Sequence, residues 1–268
     1  MSLDTKTFNA FVKLLYDRCG IALGEGKETL VAARIGKRLR ALGLDTPKDY
    51  LEYLQHNNDE FTEFLNVMTT NTTHFFREID HFHFMARIVQ DMVDQGANKI
   101  RIWCAASSSG EEPYTIAMTF LENSKNFRGD CRILATDIDT NILRMARRGE
   151  YSEEKMKGVD QSLRTKYFTS TGVGATRVYR AGDALAGMLS FSQLNLAKPP
   201  FPMKGPFDII FCRNVMIYFD SPTKQALAKR YHDALEVGGY LFIGLSETLS
   251  GIQGDFQQVS PSIYRRVK

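Results

Sequence analysis

The chain has no CxxC pair, no GxGxxG turn, no NPPY-like tetrad and no apolar run long enough to span a bilayer. Each absence removes a class of protein. The four cysteines, Cys19, Cys104, Cys131 and Cys212, lie far apart, the last three in apolar stretches. Buried, reduced thiols are expected, and no metal site. A membrane helix needs about 18 consecutive apolar residues, so direct membrane insertion is not expected. The start, MSLDTKTFNAF, lacks the basic-then-apolar order of a secretory signal, which points to the cytoplasm. A net charge of +3 over 268 residues does not by itself call for nucleic acid. At 43% apolar and 24% charged, the composition fits an ordinary globular protein with a substantial core.

What is present changes character along the chain. The first ~75 residues carry only helical periodicity. Asp4 is placed to cap a helix bearing Phe8, Phe11, Val12 and Leu15 that ends near Gly20. A second helix is expected from about Lys27 to Leu42, with Leu30, Ile35, Leu39 and Leu42 inward and Gly43 as its stop. Thr46-Pro47 starts a third, and Phe61, Phe64, Leu65 and Met68 mark a fourth. A connecting helix, about 77–95, follows the stretch TTNTTHFFRE (69–78). Apolar strand-like runs then appear at 100–104, 131–136, 207–212 and 240–245, with helices at about 112–124, 139–148 and 221–236. This alternation predicts a doubly wound, mostly parallel α/β sheet. Residues at about 165–190 break the rhythm as a short antiparallel β insertion, and 256–260 with 262–267 form a closing hairpin around Pro261. The organisation expected is an all-helical domain over 1–76 and an α/β domain over 96–268.

RIWCAASSSGEEP (101–113) takes an apolar strand into a loop of small residues and then a helix, the usual place for a ligand. Phosphate-binding versions of this turn leave the helix N-terminus free for an anion. Here Glu111 and Glu112 occupy that position, which suits a cationic ligand and opposes a pyrophosphate. The next strand ends ILATDIDTNIL, with Asp137 at its carboxyl edge, 27 positions after Gly110. A carboxylate there is placed to accept ribose hydroxyls, while Asp139 is better suited to cap the following helix. Gly238-Gly239 is read as a helix stop before the next strand. In CRNVMIYF (212–219), Arg213, Asn214 and Tyr218 are polar groups in apolar company, for which carboxylate pairing and half-burial are the plain alternatives.

Together TTNTTHFFRE, SSSGEEPYTIAM, TDID and FCRNVMIYFD resemble the chemotaxis-receptor methyltransferases, the CheR family. The likeness runs from the N-terminal helices to the last strand, with all four motifs in order. It implies a class I S-adenosylmethionine-dependent fold with a Rossmann-like sheet, S-adenosylhomocysteine as product, and receptor glutamates as substrate. The same resemblance places Asn71, Thr73, Arg77, Glu112, Asp137, Asn195, Leu196, Arg213 and Asn214 at the cofactor, and has Arg77 and Tyr218 assist transfer. Two mild departures are AASSSGEEP, where the family commonly has alanine and threonine among its serines, and Thr72 and His74 in place of leucine and alanine. His74 is expected to pack rather than to move protons. The implied partner is the helical cytoplasmic part of a chemoreceptor, met by a monomer.

Between Lys27 and Lys48 six basic residues face two acidic ones, Glu28 and Asp45. Arg34, Lys37 and Arg38 share one helix face by spacing. That face is expected either to dock an acidic receptor surface or to be solvated. An NAD-dependent oxidoreductase is opposed by the missing GxGxxG. The remaining alternative is a non-catalytic module that binds cofactor or receptor without transferring methyl groups.

Overall fold

The computed structural model describes residues 3–24, 26–249 and 255–268. Four helices come first: α1 (Thr5–Cys19), α2 (Glu28–Leu42), α3 (Pro47–His56) and α4 (Asn58–Met68). Three of the four starts, those of α1, α3 and α4, follow from a side chain that satisfies otherwise free amides. Asp4 accepts from the Thr7 N–H, Thr46 from Asp49 and Asn57 from Glu60. Gly20 and Gly43 end α1 and α2 in the left-handed conformation. Phe11, Leu15, Ile35, Tyr50 and Phe64 close the core of this domain, with no or almost no exposure. Truncating any of these large side chains to alanine is expected to cost about 2–5 kcal/mol.

Leu30, expected inward, is instead 41% exposed and faces the cavity described below. Val31 and Ala32 take the inward positions beside Ile35 and Leu39, which are buried as expected.

The α/β domain runs α5 (Asp80–Asp94), β1 (Lys99–Cys104), α6 (Glu111–Asn123), β2 (Asp130–Asp137), α7 (Thr140–Arg148), β3 (Glu150–Ser152), α8 (Gln161–Tyr167), β4 (Phe168–Thr171) and β5 (Val178–Ala181). It continues with α9 (Asp183–Ala186), β6 (Leu189–Gln193), β7 (Phe207–Cys212), α10 (Ser221–Ala234), β8 (Leu235–Ile243), β9 (Phe256–Ser260) and β10 (Ile263–Arg266). The main sheet has the order β6-β2-β1-β7-β8-β10-β9. Its first five strands are parallel and its last two antiparallel. The chain steps outward from β1 through β2 to β6, then returns to β7 on the other side. The switch point therefore lies between β1 and β7, where an open α/β sheet leaves a crevice beyond its strand ends.

Alternate strand residues enter two cores. Ile102, Cys104, Ile209 and Phe211 face α5 and α6, whereas Trp103, Ile210 and Cys212 face the α10 side. Helix α5 buries Phe82, Met85, Ile88 and Val89 in the first of these cores. It is a layer of the α/β domain rather than a connector.

Three expectations are corrected. The antiparallel insertion is a sheet of order β3-β5-β4 that starts at Glu150 and ends at Ala181, whereas Leu189–Gln193 belongs to the main sheet. The three-residue β3 and the half-exposed β6 have too little apolar alternation to stand out. Gly238-Gly239 does not stop a helix. α10 ends at Ala234, Leu235 already pairs with Phe207, and both glycines lie within β8 beside a shift in register. His74 is exposed, and the neighbouring Phe75 does the packing.

Candidate active site

Beyond the ends of β1, β2 and β7 lies a cavity of about 500 Å³, walled on one side by the α/β domain and on the other by α2 and the segments around it. The first wall begins at the loop after β1. Gly110 adopts φ +99, and a Cβ there would lie 2.6 Å from the Tyr151 hydroxyl, so only glycine fits both the turn and the packing. Helix α6 starts at Glu111, and the two successive glutamates point different ways. Glu111 is fully buried away from the cavity, where Lys155 pairs with it and Ser109 donates to it at 2.6 Å. Glu112 alone lines the cavity. The pair of carboxylates expected from the sequence is thus a single one at the site.

Glu112 shares Arg213 with Glu78. Arg213 donates to Glu112 at 2.6 Å and to Glu78 at 3.0 Å, with its side chain 1% exposed and its guanidinium over the Phe82 ring. Burial, opposed by Arg213, leaves the Glu112 carboxyl above its usual pKa. The same two effects leave Glu78 below it. Asn214, held at φ +57, donates its side-chain amide to Glu78 at 3.2 Å. Below Glu78, burial holds the imidazole of His81 down to about 4, so it is neutral, and its Nε2 meets the Ser262 hydroxyl at 2.9 Å.

Asp137 ends β2 with 8% exposure. One oxygen accepts the Ser108 N–H at 2.8 Å and the other the Asp139 N–H at 3.0 Å, and the residue lines the cavity. Desolvation raises its pKa to about 6. Asp139 caps α7 through the Asn141 and Ile142 amides and accepts from Thr69 and Asn71. Asp139 caps α7, as read from the sequence, and Asp137 lines the cavity.

Asn71, Thr73, Arg77, Glu112 and Asp137 line the cavity, as do Asn195, Leu196, Arg213, Asn214 and Tyr218. Asn195 donates to the Arg18 carbonyl at 2.9 Å, and the Leu196 carbonyl accepts from Arg230 at 2.8 Å, which fixes that edge. Arg77 donates to the Thr72 carbonyl at 2.9 Å and makes no ion pair among the described residues. The Tyr218 hydroxyl likewise has no hydrogen bond among the described residues, while the Tyr218 carbonyl accepts the Ala22 N–H at 2.8 Å.

The basic face of α2 divides three ways. Arg34 turns into the cavity, donating to the Met68 carbonyl and to Thr70, within electrostatic reach of Tyr218. Arg38 turns inward. It is locked bidentately onto the buried Glu60 at 2.9 and 2.7 Å, and Tyr50 donates to the same carboxylate. Only Lys37 of the three is fully exposed. Helical spacing gives a shared face but not the acidic partner inside the domain, and Glu60 decides the outcome.

Sequence reasoning also missed Glu78 and Glu247, which hold Arg213 and Asn214. Glu78 directly follows the FFR stretch, and its place in that motif was the available signal. Glu247 lies at the end of GLSE, where only its position after a strand could have marked it. All four cysteines are buried thiols, and burial raises the pKa of each. No cluster able to hold a metal ion occurs among the described residues.

A Rossmann-like sheet with an acidic second-strand end, an acidic first helix and a small antiparallel insertion, joined to a helical domain, defines a class I S-adenosylmethionine-dependent methyltransferase. The family described as "CheR methyltransferase, SAM binding domain" matches residues 71–265, and "CheR methyltransferase, all-alpha domain" matches residues 6–69. The chemotaxis protein methyltransferase of Escherichia coli (strain K12) is 38% identical over 266 residues, covering 98% of this chain and 92% of that protein. A probable chemotaxis protein methyltransferase of Rhizobium etli is 39% identical, covering 94% of this chain and 96% of that protein. Chemotaxis protein methyltransferase 2 of Pseudomonas aeruginosa is 38% identical, covering 93% and 89% respectively. The chain belongs to the CheR methyltransferase family.

Proposed function

We propose that this protein methylates glutamate side chains of chemoreceptors in the cytoplasm, using S-adenosylmethionine and acting as a monomer. The observation that carries the reading is that an enclosed carboxylate at the β2 end shares its cavity with Arg77, whose guanidinium has no ion-pair partner among the described residues, and with the Tyr218 phenol, which has no hydrogen bond among them. The site fits the cofactor chemically. Asp137 offers two acceptor positions for ribose hydroxyls, and the loop Ala105–Ser108 lets a ligand approach the backbone closely. Glu112 supplies negative charge where a cation is to sit, and Asn71, Thr73, Asn195, Leu196, Arg213 and Asn214 complete the enclosure. When bound, S-adenosylmethionine supplies a methyl group on a positively charged sulfur.

The remaining work is orientation. A glutamate carboxylate is ionised at neutral pH, so no general base is needed. Arg77 and Tyr218 hold that carboxylate by hydrogen bonds and exclude part of its water. A tight bidentate pair would weaken the nucleophile, and the half-exposed Arg77 suits a looser grip. Arg34, within electrostatic reach of Tyr218, adds a second positive group to the same corner. Every residue given a role here comes from one chain, in keeping with a monomeric enzyme.

Incubation with methyl-labelled S-adenosylmethionine and chemoreceptor-containing membranes is expected to place base-labile label on the receptor. Cofactor binding without any such label would instead favour a non-catalytic binding module.

A further inference from the structure

Glu247 is not itself one of the residues that line the cavity and has no ion-pair partner among the described residues, yet its carboxylate gathers three backbone amides, two of them from the lining residues Asn214 and Ile217. One oxygen accepts from Gly244 at 2.6 Å and Asn214 at 2.9 Å, and the other accepts from Ile217 at 3.2 Å. The first donor follows β8 and the other two follow β7, so one side chain ties together the ends of two adjacent strands. Asn214 is left-handed at φ +57, a conformation that costs a non-glycine residue free energy unless its surroundings hold it. Ile217 is the middle residue of the single 3-10 turn Met216–Tyr218. Gly244 makes this approach possible. A Cβ there would lie 2.5 Å from the Asn214 side-chain nitrogen and 2.9 Å from the Glu247 oxygen.

We propose that Glu247 is a positioning residue for methyl transfer, fixing the turn that presents Tyr218 to the substrate carboxylate. The proposal rests on the reading of Tyr218 as an orienting group. Two tethers set where the phenol points. The Ala22 N–H is donated to the Tyr218 carbonyl, and Glu247, in the loop after β8, accepts the N–H of the residue before Tyr218. Glu247→Gln separates the two halves of the bridge. Its amide oxygen can still accept from Gly244 and Asn214, whereas its NH2 group meets the Ile217 N–H donor to donor. The link to the Tyr218 turn is therefore the one lost.

The test is a double-mutant cycle of Glu247→Gln and Tyr218→Phe, read by receptor methylation kinetics and by calorimetric titration with S-adenosylhomocysteine. Glu247→Gln is expected to bind that ligand within about threefold of the unaltered protein and to lower kcat at least about tenfold. In the Tyr218→Phe background the same change is expected to cost less than about threefold, because the turn no longer carries the hydroxyl. Replacing the Ile217 amide by an ester deletes the donor, while also weakening the Met216 carbonyl that accepts from Phe219, and is expected to reproduce the kcat loss, even if Glu247→Gln fails to fold. Equal losses in both backgrounds, or normal kcat in the folded Glu247→Gln and ester proteins, overturn the positioning role alone. A normal kcat for Tyr218→Phe overturns the reading of Tyr218, and the role of Glu247 with it.

Discussion

On the strand-end wall of the cavity Arg213 is enclosed and divides its donors between two carboxylates, whereas Arg34 and Arg77 are partly exposed and meet only carbonyls and one hydroxyl. The three carry the same charged group. A buried guanidinium must be neutralised where it stands, so Arg213 has become part of the wall. A partly hydrated one keeps its charge available for a ligand, at little cost in stability. One side of the cavity is therefore a fixed electrostatic frame, and the other holds groups able to respond to an incoming carboxylate.

The sharpest way to break this contrast is to remove the framed arginine. Arg213→Met leaves Glu78 and Glu112 together in a poorly hydrated wall, and is expected to destabilise the protein by about 3–5 kcal/mol. Urea denaturation measures it. A loss under about 1 kcal/mol would mean that the cluster is not what holds the strand ends together. Arg77→Ala is expected to behave in the opposite way. Stability should change by less than about 1 kcal/mol, while kcat for receptor methylation falls about 100-fold or more through lost orientation. If kcat stays within about threefold, Arg77 has no part in the chemistry.

Much of the frame was legible in advance because local rules were at work. Asp4, Thr46 and Asp139 are caps with the right residue in the right place, and β1, β2 and β7 are apolar runs of ordinary length. Asp137 was legible from its place at a strand end. Elsewhere the deciding partner was distant in sequence. Arg38 and Glu60 are 22 residues apart, and Arg213 and Glu78 are 135 apart. No periodicity in α2 says that Arg38 will find a buried carboxylate, and nothing near Glu247 says that it will gather amides from two loops. β3 and β6 escaped notice because short or half-exposed strands leave little pattern.

Asp137 allows the frame to be titrated without mutation. Its folded pKa of about 6 lies above the ordinary 3.8. The folded protein thus holds this proton more tightly than the unfolded chain does. Its contribution to stability is fully present below 3.8 and is lost as pH rises through about 6. Ribose hydroxyls donate to the ionised form, so ligand binding should lower this pKa and release a proton near pH 6. Affinity for S-adenosylhomocysteine is expected to fall by up to about tenfold per unit as pH drops below 6. Calorimetry in buffers of different ionisation enthalpy measures the released proton, and no release at pH 6 would mean that Asp137 does not meet the ligand. Asp137→Ala should weaken binding by about 1.5–3 kcal/mol at neutral pH.

The smallest effect is expected farthest from the cavity, on the part of α2 that stayed in solvent. Arg34 and Arg38 are committed to internal partners, so reversing them would disturb the pocket or the Glu60 core pair rather than test docking. Lys37 and Arg40 are exposed and three positions apart, and they offer the clean experiment. If they help to steer an acidic receptor helix, changing both to glutamate inverts four charge units on that face. The apparent KM for receptor should rise about two- to fivefold at low salt, with kcat and S-adenosylhomocysteine affinity unchanged. At about 0.5 M salt, where screening acts within a few ångströms, the difference from the unaltered protein should largely vanish. A KM that is unchanged at low salt would make these residues solvated surface and leave receptor recognition to the cavity mouth. A rise that persists at high salt would point to direct contact, with the substrate helix lying against α2 itself.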